Sequence, residues 1–212
     1  MSATEKQMTE KESLDLIASM INKARNAYYD TGVSSMMWGL VIAFCSLEKL
    51  AEIRFGYRLP FDIYLLTLVA VIPQVVISIR EKKNRRVKPY DEAFMDYLWL
   101  GFGICIFLMI LIVNNMDSAL NQTDFKLTEY VSPLFLLLYG LPTFVTGVTC
   151  KFKMMTWGGL LFWASCIVAI YTSIQIDLLL TAFSAVVGWL IPGVIMKKEY
   201  EKAKRELAQQ DV

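Results

Sequence analysis

Apolar residues fall into six blocks along the chain, at approximately 33–51, 60–80, 95–115, 130–150, 154–174 and 178–197, with short polar segments between them. Each block approaches the roughly 20 residues that a helix needs to cross a hydrocarbon core about 30 Å thick. A helix on the surface of a soluble domain would carry a polar face along its length. These blocks carry none: from Tyr130 to Met196 the only charged residues are Lys151, Lys153 and Asp177. The first block is the least apolar, with Ser34, Ser35 and Glu48 at its ends. The pattern predicts an all-α membrane protein with six transmembrane helices.

A different period precedes the first block. In "TEKESLDLIASMINKARNAYYD", Leu14, Ile17, Ile21, Ala24 and Tyr28 recur at steps of three and four, with charges on the opposite face. That spacing predicts an amphipathic helix. Thr9 and Glu12 match a capping box, and Lys23 and Arg25 suit the negative end of the helix dipole. The apolar stripe is too narrow and too interrupted by charge to span a bilayer, so the helix is expected to lie on the lipid surface, cap the cytoplasmic end of the bundle or bind another protein, and these five residues are the candidate docking face. At the other end, "KKEYEKAKRELAQQ" is expected to continue the sixth helix. The expected organisation is an amphipathic helix within 1–30, a six-helix transmembrane domain over 31–197 and a helical tail over 198–212.

Composition adds little until charge is placed on this plan. The chain of 212 residues is 56% hydrophobic and 19% charged, with mean hydropathy +0.45 and a formal charge of +1. Lys and Arg are unevenly spread. Both tails and the second and fourth loops together hold seventeen, and the other side holds only Lys49, Arg54, Arg58 and Lys126. The positive-inside rule then puts both termini in the cytoplasm. With no cleavable signal in "MSATEKQMTEKES", the first hydrophobic helix is expected to direct insertion itself.

Internal repetition is also visible. "YDTGVSSMMWG" places Trp38 eight residues after Asp30, and "YDEAFMDYLWLG" places Trp99 eight residues after Asp91; "KFKMMTWGG" supplies Trp157 without the aspartate. Trp38 to Pro73 and Trp157 to Pro192 are each 35 residues, and Trp99 to Pro142 is 43 across a longer loop. The six helices read as three diverged helical hairpins, 1–2, 3–4 and 5–6.

The chemistry available is sparse. The chain has no histidine, no Walker loop, no GxGxxG and no GxSxG, and its four cysteines lie in or beside apolar blocks without a CxxC pair. No enzymatic activity, cofactor, metal or nucleic-acid partner is expected. Gly101, Gly103, Gly158 and Gly159 read as sites of close helix packing. The most notable polar feature inside a span is Pro73–Gln74. Pro73, Pro142 and Pro192 occupy comparable places in the even helices and read as kinks, or, if they converge, as the lining of a solute path. Asp62, Asp96 and Asp177 lie near predicted span ends, where water is expected to reach them. The loop carrying Arg80, Lys82, Lys83, Arg85, Arg86 and Lys88 fixes topology and is a candidate contact for anionic lipid headgroups.

The stretches "ESLDLIASMINKARNAYYDTG…MMWG" and "LPFDIYLLTLVAVIPQVVISIREKK" make the whole chain resemble small multi-pass membrane proteins of bacteria to which no activity is assigned. The resemblance implies a bacterial inner-membrane location and transfers no catalytic residues. Two functions stand as expectations. One is a non-enzymatic membrane protein with a cytoplasmic partner and a regulatory or scaffolding role. The other is a small transporter or channel-like protein for an uncharged or lipid-like solute. Membrane lipids are expected partners in either case.

The charge bias makes a direct prediction. In a background lacking Cys45, Cys105, Cys150 and Cys166, a single cysteine at Gln122 should react with an impermeant thiol reagent in intact cells. One at Asn84 should react only after the membrane is opened. The reverse pattern would invert the topology.

Overall fold

The computed structural model describes residues 31–84, 90–120 and 128–210; the amphipathic segment read over 1–30 lies outside the described residues. Among the described residues the structure is all-helical, with no strand. The helices are α1 (Val33–Phe55), α2 (Leu65–Asn84), α3 (Tyr90–Leu120), α4 (Thr128–Thr149), α5 (Lys153–Ala169) and α6 (Ile174–Ala185), which continues through a π-helical turn (Val186–Leu190) into α7 (Ile191–Gln210). Each apolar block therefore forms a helix, the sixth being α6, the π turn and α7 together. Three helices are long and apolar enough to cross a membrane, over Phe94–Val113, Tyr130–Thr149 and Ile174–Lys202, and α5 is apolar but shorter. In α1, Glu48, Lys49, Glu52 and Arg54 charge the last two turns; in α2, Arg80 follows the first residue by fifteen.

The last helix is the axis of the array. α1 packs along one side of it, and α5 and α4 pack along the other. α2 rests on α1 and α3 rests on α4, so these two form the outer helices. Contacts between distant residues fix the directions. Trp38 meets Gln74, and Ser46 meets Tyr64, so α2 runs antiparallel to α1. Met95 meets Thr146, and Phe102 meets Tyr139, so α3 and α4 are antiparallel. The foot of α1, the end of α2, the start of α3, the α4–α5 turn and the residues around Gly193 thus share one end of the array.

Helices within each of the three hairpins touch, but the most extensive interface is α4–α5, which crosses a hairpin boundary read from the sequence. A tight turn makes it so. Phe152 N–H donates to Gly147 O at 2.8 Å and Lys151 N–H to Val148 O at 3.2 Å, with Lys151 at φ 54. This is a Schellman arrangement with lysine in the left-handed position that glycine usually takes.

Glycines set the distances between helices. A Cβ built on Gly158 would meet Gly188 Cα at 2.6 Å, and one on Gly39 would meet Leu190 N at 2.6 Å. At the foot of α1, Gly32 has φ 70 and lies so close to α7 that a Cβ would meet Gly193 O at 2.2 Å. Gly101 and Gly103 behave differently from their sequence reading: nothing lies within 4 Å of a Cβ placed on either. They face away from α4, the helix against which α3 packs most closely among the described residues. Into the spaces so defined fit Phe162, Leu136, Met155, Tyr139 and Trp189, all buried. The rings of Tyr139 and Trp189 lie 5.1 Å apart, as do those of Phe162 and Trp189.

The π turn has a local cause. Pro192 has no N–H to continue the helical ladder, and just before it the Ile191 N–H reaches back to Val186 O. The widened turn presents Gly188 to Gly158 and keeps Trp189 in the core.

Gly158→Leu should therefore force α5 from the last helix and lower unfolding stability by about 1–3 kcal/mol, the usual cost of overpacking. Gly101→Leu should stay within about 0.5 kcal/mol of the parent, as an exposed site does. Reversible denaturation in mixed micelles measures both.

Candidate functional site

Polar side chains inside the array collect in three places. The first joins α1 to α2. Gln74 Nε2 donates to Ser34 Oγ and to Ser78 Oγ, each at 3.1 Å, and Gln74 Oε1 accepts from Trp38 Nε1 at 3.0 Å. A turn further along, Thr31 Oγ1 donates to Glu81. The Gln74 amide is thus spent on three side chains. Pro73 itself is exposed on the outer face of α2, whereas Pro142 and Pro192 are fully buried in the core. The three prolines do not converge. The two buried ones are linked through their neighbours, because Trp189 Nε1 donates to Thr143 Oγ1 at 2.7 Å.

The second place lies between α1, the connector 56–64 and α4. Cys45 and Ser46 are both wholly buried. Cys45 Sγ donates to Ile63 O at 3.5 Å, and Ser46 Oγ pairs with Tyr64 Oη at 3.3 Å. Tyr139 of α4 is buried. Below it on the same face, Thr143 Oγ1 donates to Tyr139 O at 2.6 Å and Thr146 Oγ1 to Met95 Sδ at 3.7 Å.

The third place is the start of α6. Asp177 is 1% exposed, so the expectation that water reaches it fails; Asp62 and Asp96 are exposed as read. Its Oδ1 accepts a 2.6 Å hydrogen bond from Thr172 Oγ1, and it sits in the first turn of α6, where the helix dipole favours an acid. Nearby, Ser165 and Ser184 bridge α5 to α6 at 2.9 Å.

The candidate lipid contacts Arg80 and Lys83 are exposed at the end of α2, and Lys151, Lys153, Lys197 and Lys198 are exposed at the same end of the array. Lys82, Arg85, Arg86 and Lys88 fall outside the described side chains. The candidate docking residues Leu14, Ile17, Ile21, Ala24 and Tyr28 lie outside the described residues altogether.

At the opposite end, an open depression of about 590 Å³ is lined by Lys49, Glu52, Ile53, Gly56, Tyr57 and Arg58. Lys49 pairs with Glu52 at 2.7 Å, and Tyr57 Oη donates to Glu48 Oε1 at 2.5 Å. That hydrogen bond, with desolvation and the charges of Glu48 and Glu52, pushes the Tyr57 phenol up to about 12. The depression is a surface hollow in which Lys49 and Glu52 pair with each other. Among the described residues no group of His, Cys, Asp or Glu is arranged to hold a metal. The sequence reading missed Tyr139, Thr143 and Thr146. Their spacing of four and three in an apolar block is a polar stripe on one helix face.

Hydrogen bonds between membrane helices contribute about 0.6 kcal/mol each on average and up to about 1.7. Gln74→Leu removes three at once and should lower unfolding stability by about 1–2 kcal/mol, while expression and helix content hold. An unchanged unfolding midpoint would mean that the amide does not hold α2.

No family model matches the chain, and no curated protein or solved structure matches it. Its site has to be interpreted from its own residues.

Proposed function

We propose that this chain is a non-enzymatic integral protein of a bacterial inner membrane, with six crossings, both termini cytoplasmic and a regulatory or scaffolding role exercised through a cytoplasmic partner. The alternating directions of the helices support six crossings, because each apolar block returns the chain to the other end. The exposed cations at the end shared by Arg80, Lys151 and Lys197 support a cytoplasmic assignment for that end.

One observation carries the role: the interior is occupied. Phe162, Leu136, Met155, Pro142 and Pro192 are each less than 2% exposed, and Tyr139 touches four other rings. A transporter or channel for an uncharged or lipid-like solute would need room where these side chains stack. The two groups with the greatest chemical potential, Cys45 and Asp177, are buried and each makes a hydrogen bond within the fold. What the array offers a partner is its cytoplasmic end, where the segment carrying Leu14, Ile17, Ile21, Ala24 and Tyr28 joins α1.

Deleting residues 1–27 should leave the helices inserted and the protein stable, because the basic loop after α2 is retained. Proteins crosslinked to the intact chain in native membranes should be lost from the deleted form. Ile17→Asp with Ile21→Asp should reproduce that loss. If both variants keep every crosslinked protein, the partner-binding reading is wrong.

A further inference from the structure

One of the five tryptophans is placed unlike the rest. Trp38 donates its N–H to Gln74, Trp163 to Leu137 O and Trp189 to Thr143, and Trp99 lies edge-on to Phe102 against the core. Trp157 is 68% exposed, and its Nε1 donates to no described residue. An indole turned toward lipid carries a donor that hydrocarbon cannot satisfy, which is why such rings settle at the level of the headgroups.

The helix face around Trp157 is graded from charge to hydrocarbon. Lys153, Trp157, Leu160, Ala164 and Ile167 follow one another in α5 at steps of four and three, and all five are exposed. Residues so spaced are neighbours on one face of a helix. From Trp157 to Ile167 the helix rises about 15 Å, about half the thickness of a hydrocarbon core. The stripe thus sets a cation, an indole N–H and then one leaflet's depth of aliphatic surface in line.

A second cation stands beside the first. Lys151 is exposed in the α4–α5 turn, with its backbone held at φ 54 by the turn hydrogen bonds. Glycine would occupy that left-handed position without strain, so lysine is there at a cost to the backbone. Neither Lys151 nor Lys153 pairs with an acid among the described residues. Asp177, the only acid from Tyr130 to Met196, lies beyond the far end of α5.

We propose that this face of α5, with Lys151, is a binding site for one phospholipid with an anionic headgroup. Its phosphate accepts from the Lys153 ammonium and the Trp157 N–H, Lys151 meets the remaining negative charge, and an acyl chain lies along Leu160, Ala164 and Ile167. A zwitterionic headgroup would bring an ammonium toward two lysines with no acid to receive it. A free phosphate would leave the aliphatic part of the stripe unused. The site rests on the membrane insertion proposed above and not on a cytoplasmic partner.

The full-length protein in nanodiscs tests this; failure to enter them would overturn both the insertion and the site. Once it is inserted, quenching by brominated phosphatidylglycerol is compared with quenching by brominated phosphatidylcholine at equal mole fraction. The difference between the parent and Trp157→Phe isolates the signal of Trp157. That signal should favour phosphatidylglycerol about fivefold or more at fixed ionic strength, since one lysine near an anionic surface contributes about that factor. Lys153→Gln should cut the preference about fivefold, and Lys151→Gly should do the same while keeping the turn, because glycine adopts the left-handed backbone. Lys198→Gln, which alters an exposed lysine of α7 at the same end, should leave it unchanged. Excess inorganic phosphate should not displace the lipid. Equal quenching by the two lipids overturns the proposal, as does a preference that survives both Lys153→Gln and Lys151→Gly. Displacement by inorganic phosphate, or an equal loss in Lys198→Gln, overturns it too.

Discussion

The backbone approach of Gly158 to Gly188 is the contact on which the rest of the array depends. In lipid, burying a leucine against another helix gains nothing over burying it against acyl chains, so association rests on dispersion and hydrogen bonding at short range. Dispersion decays steeply with distance, and losing even an ångström of approach forfeits much of it. With no side chain at either position, α5 and the last helix come close enough for Phe162 to lie against Gly188 and for Ser165 to reach Ser184. Trp189, next in sequence to Gly188, then stacks on Phe162 and Tyr139 and donates to Thr143. One close approach thus aligns three helices, and Pro192 secures it by forcing the π turn that presents Gly188.

The outer helices are attached by different means. α3 lies on α4 through Trp99, Phe102 and Met95, a largely apolar contact. α2 lies on α1 through Gln74, Ser34, Trp38 and Ser78, with most of its apolar side chains turned outward. A hydrogen-bonded attachment is directional and is broken as a unit, whereas an apolar one yields gradually. Displacement of α2 would therefore be a discrete event, and displacement of α3 a graded one.

Much of the helical architecture was legible in the sequence because long apolar runs between polar segments favour helices, three of them long enough to cross a membrane. The predicted segments 33–51, 130–150 and 154–174 coincide with helices to within a few residues. What hydropathy cannot carry is which neighbour each helix chooses. The Trp-to-Pro spacing suggested three hairpins of equal standing, yet the turn at Lys151 makes α4–α5 the closest pair. Gly101 and Gly158 look alike in sequence, and only the packing separates an open glycine from one pressed against backbone. Asp177 stood near a block end, which suggested water; the α5–α6 connection folds over it and Thr172 satisfies it instead. Gln74 was recognisable as unusual, but two of its three partners lie 36 and 40 residues away on α1. Tyr139 was overlooked because an aromatic residue in an apolar block reads as packing.

The proposed regulatory role would need a route from the N-terminal segment into the array, and the foot of α1 is where that segment joins it. Thr31 bonds Glu81 on α2, and Gly32, adjacent in the chain, is pressed against Gly193 and Lys197 on α7. Only glycine tolerates both the left-handed backbone and that closeness. Two consecutive residues therefore fasten the N-terminal segment to an outer helix and to the axial helix at once. Four residues on, Met36 N–H accepts no slack either, since it donates to Gly32 O at 3.0 Å and opens α1. A pull on the segment that shifted Thr31 by a fraction of a hydrogen-bond length would load the Gln74 cluster on one side and the approach of Gly32 to Gly193 on the other. The Gln74 cluster and the Gly32–Gly193 approach thus both hang on the foot of α1, at the same end of the array.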